Sequence, residues 1–130
     1  MNENLNYLNR SSINDLRLLA DQMGIPNLTI IERSKLSAAM RNKHIKRIIV
    51  NYTDAPGTHW IAVDKVKKMF FDSYAQPPPQ GIPKSYKRSS HNKELQSIES
   101  SNCGQLSILF LYFSAFKSNE EFYKIFKDIY

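Results

Sequence analysis

The chain has 130 residues, a net charge of +6, 42% hydrophobic residues and one cysteine. That is the length of one domain, 1–130, with enough apolar material for a core. Its longest apolar run, Leu109 to Phe113, is too short to cross a bilayer, so no membrane association is expected. A single cysteine excludes an intramolecular disulfide; packing alone must hold the fold, and a reducing compartment is expected.

The opening MNENLNYLNR is polar rather than a basic and apolar leader, and residues 1–10 are expected to be loosely held. Ser12 reads as a helix N-cap with Asp15 three residues on. Ile13, Leu16, Leu19, Ala20 and Met23 recur at helical spacing, and Gly24 and Pro26 stop the helix, which predicts a helix over 12–23. Residues 28–40 carry two signals: LTII favours a strand by β-branching, and ERSKLSAAM favours a short helix. The basic run RNKHIKR, 41–47, reads as a solvated turn in preference to a binding patch. Ile48 to Val50 predicts a buried strand, and 53–58 a loop turning on Asp54, Pro56 and Gly57. HWIAVDKV, 59–66, and MFFDSY, 69–74, predict two strands close enough to form a hairpin. The Pro-rich stretch 75–83 excludes regular structure, and 84–94 is basic and polar without periodicity. Leu95 to Ile98 reads as a short edge strand, 103–116 as an apolar helix, and 119–129 as a last helix capped by Ser118. Glu120 and Glu121 suit its first turn, and Phe122, Ile125, Phe126 and Ile129 form its apolar stripe. The fold class is α+β, with a small central sheet crossed by the helix that carries Cys103.

The chemistry gathers around that helix. A cysteine in the first turn meets unpaired N–H groups and a partial positive charge, both of which favour the anion over the thiol. Against this stands the ordinary tendency of free cysteine to be a small core residue. A cysteine nucleophile also needs a base in hydrogen-bond reach, a group to orient that base, and donors for the developing oxyanion. Of the three histidines, His44 lies in the basic run and His91 in a polar stretch, and both are expected to be exposed and inert. His59 stands at the mouth of a predicted strand after a Gly-containing loop, where a base is both fixed and accessible. If 59–66 pairs with 69–74, Asp72 comes to the same end of the hairpin and can hold the imidazole. Its plainer reading is a residue that ends a strand. Gln96 can donate to an oxyanion alongside the Cys103 N–H, although taken on its own an ordinary surface role is favoured for it. Gly104 permits a tight turn and close substrate approach to the backbone.

The ordered set Gly57, His59 and Trp60, then Phe71, Asp72 and Tyr74, then Gln96, six residues, Cys103 and Gly104 resembles the adenovirus protease (adenain) group. Those are cysteine peptidases related to the SUMO-deconjugating Ulp proteases, and the seven-residue step from Gln96 to Cys103 is more similar to adenain. LRLLADQMGI resembles the first adenain helix and IKRIIVNY its strand before the His loop, so the resemblance covers roughly residues 13 to 115. It implies an α+β papain-like peptidase fold with Cys103 as nucleophile, His59 as general base and Asp72, where adenain has Glu, as its orienter. Gln96 and the Cys103 N–H would form the oxyanion hole. Trp60 would roof the His–Cys pair and, with Gly57 and Gly104, narrow the substrate channel, which implies a preference for glycine at or beside the cleaved bond. The implied substrates are viral capsid and other structural precursors, cleaved in the virion or inside the infected cell by a monomer without a cofactor.

The chain is shorter than adenain between Asp72 and Gln96 and at its C-terminus, and has no second cysteine for adenain's disulfide-linked activating peptide. The charge leaves activation by DNA, or weak nucleic-acid binding, open. Two further readings use the same residues: a deconjugase for a ubiquitin-like modifier, and a non-enzymatic basic module in which RNKHIKR and KSYKR touch nucleic acid.

Overall fold

A computed structural model describes residues 13–52, 59–73, 76–89 and 103–129, with side chains of the last helix described through Lys124. The cap at Ser12, the loop 53–58, Tyr74, His91, the strand expected over 95–98 and Gln96 lie outside the described residues.

Helix α1, Ile13–Met23, follows the predicted periodicity, burying Leu16 and Ala20. It ends at Gly24, whose φ of 66° is the left-handed value expected of a glycine stop and whose N–H donates to Ala20 O. Strand β1, Leu28–Ile31, and helix α2, Leu36–Arg41, divide the ambiguous stretch between them, joined by a 3₁₀ turn at Arg33–Lys35. Both sequence signals were therefore local and both are obeyed. The basic run beyond is an exposed turn, as expected, with Asn42 Oδ1 accepting from the His44 N–H. Lys65 Nζ donates to Ala39 O and Asn42 O, adding a charged donor to two carbonyls at the end of α2 that also accept the Asn42 and Ile45 N–H groups.

Strands β2, Arg47–Asn51, β3, Trp60–Asp64, β4, Met69–Phe71, and β5, Lys87–Arg88, complete a five-stranded sheet in the order β1-β2-β3-β4-β5. The outer pairs are parallel; β2–β3 and β3–β4 are antiparallel. The expected hairpin is present, turning through Lys65–Lys68 with Lys68 in the left-handed region at φ 56°. Strand β5 was not anticipated. Two residues are too few for a period, and only the neighbouring edge of β4 gives them partners. Residues 76–83 contain no helix or strand, as the prolines require.

The sheet is covered on both faces, which explains why its central strands read as continuous apolar runs. Alternation sends Ile48, Val50, Ile61, Val63 and Phe70 toward Leu36 and Ala39 of α2 and toward Ile82. It sends Ile49, Trp60, Ala62 and Phe71 toward α1 and two C-terminal helices, α3, Cys103–Phe116, and α4, Asn119–Ile129. On this side the Phe71 and Phe110 rings stack at 4.9 Å, and Phe122 meets both edge-on at 5.3 and 5.5 Å. The Ser118 hydroxyl accepts from the Glu121 N–H and so caps α4 as predicted. No helix among the described residues is long and apolar enough to cross a membrane.

Helix α3 lies along β3, and Gly104 sets how closely. A Cβ there would stand 2.7 Å from Leu16 Cδ2 and 3.2 Å from Trp60 Cδ1. The glycine is thus required by packing among α1, α3 and β3, a different reason from the substrate approach expected from the sequence. Gly104→Ala should destabilise the fold by about 1–3 kcal/mol, measured by denaturant unfolding. Because Leu16 is the nearest obstacle, the double variant with Leu16→Ala should lose less than the sum of the two single losses.

Candidate active site

The first residue of α3 and the residue preceding β3 bring sulfur and imidazole to one end of the sheet. The Tyr52 N–H donates to His59 O at 2.7 Å, which extends the β2–β3 ladder one step past the Asn51–Trp60 pair and fixes the His59 backbone. In the β3–β4 register Phe71 faces Ala62, so Asp72, next along, leaves β4 at the end where β3 begins. His59 Nε2 and Asp72 Oδ1 are 2.7 Å apart. Cys103 also acts on the ring and favours its charged form. The order carboxylate–imidazole–sulfur is the one expected from the sequence. His44, by contrast, is exposed and precedes β2 at the opposite end of the sheet, where Arg47 pairs with Asp64.

All three groups are withdrawn from solvent: Cys103 is 3% exposed, and His59 and Asp72 are 6% each. Burial is the largest single influence on the imidazole and disfavours its charged form. The hydrogen bonds to Asp72 and Cys103, and the charges of both, together outweigh it and raise His59 from 6.5 to about 9. At neutral pH the ring therefore carries its proton, with Asp72 accepting from Nε2.

Trp60 takes a different place from the one the resemblance implies. Its side chain is 2% exposed and packs in the core against Gly104. A buried indole does not roof a channel; what Trp60 offers the site is its backbone, whose N–H donates to Cys103 Sγ at 3.3 Å. Gly57 and Gln96, the remaining expected site residues, lie outside the described residues.

Two contributors escaped the sequence reading. Tyr52 stands beside the imidazole, ring centroids 5.7 Å apart, with its hydroxyl donating to Pro77 O at 2.8 Å. It directly follows β2, and its position opposite His59 follows only from strand register. Ser107 donates to Trp60 O at 3.1 Å from one turn below Cys103. A signal for it existed: Cys103, Ser107 and Ser114 are the small polar residues on one stripe of an otherwise apolar helix. Ser114 donates to Asp64, whose buried carboxylate also accepts from the Val66 and Lys67 N–H groups. Among the described residues no cluster of three His, Cys, Asp or Glu side chains is arranged to hold a metal ion.

Searches against protein-family models, curated proteins and solved structures found no match for the chain.

The raised pKa has a consequence for stability. A group whose folded value lies above its unfolded one stabilises the fold fully below the unfolded value, and the effect is lost as pH rises through the folded value. The His59 contribution should therefore be complete below 6.5 and disappear as pH passes about 9. Unfolding free energies measured across that window should fall with rising pH in the wild type. In Asp72→Asn, which removes the carboxylate charge, that fall should move to lower pH. NMR titration of the His59 ring should show the same displacement.

Proposed function

We propose that the chain is a cysteine endopeptidase of adenain-like architecture, using Cys103, His59 and Asp72 in thioester acyl transfer. The observation that supports this best is the imidazole of His59, bonded to Asp72 at 2.7 Å and held toward its charged form by Asp72 and by Cys103 at the N-terminal tip of α3. A core cysteine needs no buried ion pair beside it, and burying a charged imidazole for packing alone is costly.

In the proposed reaction the Cys103 thiolate attacks the scissile carbonyl carbon. The resulting oxyanion accepts from the Cys103 N–H at the start of α3 and from Gln96. Imidazolium gives its proton to the departing amine as the C–N bond breaks, leaving a thioester on Cys103. Water then attacks the thioester with neutral His59 accepting its proton; the C–S bond breaks and the ion pair is restored. Asp72 holds the ring and stabilises the imidazolium throughout. By the resemblance described above, the substrates are viral structural precursors cut near glycine, inside a virion or infected cell.

Incubation with capsid-precursor polypeptides or Gly-containing peptides, followed by mass spectrometry, tests this. Wild-type protein should cleave, and Cys103→Ala should be inactive; equal product from both would end the assignment. Gln96→Ala should lower the rate by about 10²–10³, as loss of an oxyanion donor does elsewhere. A ubiquitin-like modifier probe that labels Cys103, with no precursor cleavage, would transfer the same chemistry to a deconjugase.

A further inference from the structure

The carbonyl and the amide N–H of one residue, Trp60, are both taken by side chains of the same helix. Cys103 Sγ accepts from the N–H at 3.3 Å, and Ser107 Oγ donates to the C=O at 3.1 Å. Cys103 and Ser107 are four residues apart in α3 and so share a face, one above the other. Both are buried, Ser107 completely, and no water is needed to complete either bond. Gly104 removes the one side chain that would keep the helix and Trp60 apart. Seven residues beyond Ser107, Ser114 donates to Asp64 at the other end of β3. The helix and the strand are therefore joined at both ends by hydroxyl donors, and the sulfur lies at the tip nearest His59.

We propose that Ser107 is a positioning residue which, by holding the Trp60 carbonyl, aims the Trp60 amide N–H at Cys103 Sγ and makes that amide a fixed donor to the anionic sulfur. The proposal rests on the reading of Cys103 as a thiolate nucleophile but concerns the resting site, before any substrate arrives. A neutral thiol gains little from an N–H donor, whereas hydrogen bonds to a charged acceptor are about twice as strong as neutral ones. The N–H matters most before attack; as the carbon–sulfur bond forms, charge leaves the sulfur for the carbonyl oxygen and the bond from Trp60 weakens. Ser107 touches neither substrate nor sulfur. It acts through the backbone of Trp60, and the hydroxyl, not the bulk of the residue, is what the site requires.

The test is a comparison of wild type, Ser107→Ala, Ser107→Thr and Ser114→Ala by NMR, following the His59 ring and the Trp60 amide through a pH titration without substrate. The sulfur is one of the groups that sustain the imidazolium, so weakening its donor weakens that support. In Ser107→Ala the His59 midpoint of about 9 should therefore fall. A decrease of about one pH unit is expected for one charge-assisted hydrogen bond. The Trp60 amide resonance should lose its response to the same transition. Ser107→Thr keeps the hydroxyl and should restore both signals. Ser114→Ala should lower thermal stability and leave the midpoint in place, which separates positioning of the site from general support of the helix. If Ser107→Ala does not fold, Ser107→Cys, with a weak donor of similar size, should move the midpoint in the same direction by less. An unchanged midpoint in the folded Ser107 variant overturns the proposal. A protein that titrates as described yet cleaves nothing would instead refute the peptidase assignment and leave the role of Ser107 intact.

Discussion

The seating of α3 along β3 is the constraint on which the rest of the molecule depends. Gly104 lets the helix approach, the Cys103 and Ser107 side chains engage the N–H and the C=O of Trp60, and Ser114 fastens the other end to Asp64. A one-residue slip of the strand would turn Trp60 to the opposite face and carry His59 away from the sulfur. A one-residue slip of the helix would turn the polar stripe by more than a quarter of a turn, into apolar surroundings. Either error would leave buried polar groups without partners, so the register is specified by polar satisfaction as well as by apolar fit.

Among the described residues two carboxylates are buried, and they are satisfied in different ways. Asp64 accepts from two backbone N–H groups of the hairpin turn and from the Ser114 hydroxyl; its surroundings are neutral dipoles, and its effect is architectural. Asp72 faces an imidazole that carries a proton, and here charge meets charge. Burial alone would discharge His59. The ring stays protonated because Asp72 and Cys103 act on it together against desolvation. Changing either of the two therefore alters the proton affinity of the ring.

Much of this architecture was visible in the one-dimensional pattern, and the visible parts share a feature. Helix α1, helix α4 and the β3–β4 hairpin are set by short-range signals: apolar spacing, a glycine stop, a serine cap, a tight connection. Residues 28–41 carried strand and helix signals in succession, and the chain forms both in succession. The meeting of His59 with Asp72 was also legible, because hairpin register is a matter of counting outward from the turn. Strand β5 was not, since two residues carry no period and its partner lies 18 positions earlier in the chain. For Trp60 and Gly104 the residue types were informative but their purpose was not. An indole beside a histidine suggests a lid, and a glycine beside a cysteine suggests access; both turned out to serve the packing of α3 against α1 and β3.

The sequence by itself determined the class of fold, the ends of its principal helices and the pairing of imidazole with carboxylate, because each of these follows from interactions within a turn or across one hairpin. Only the tertiary structure decided that the Trp60 amide donates to the sulfur, that Ser107 donates to the Trp60 carbonyl, and that Tyr52 flanks the ring. Those contacts join a strand to a helix more than 40 residues further on, or one strand to the next across a loop, and no local spacing encodes them. They arise when apolar burial presses α3 onto the sheet and the few polar groups caught at that interface must find partners in each other.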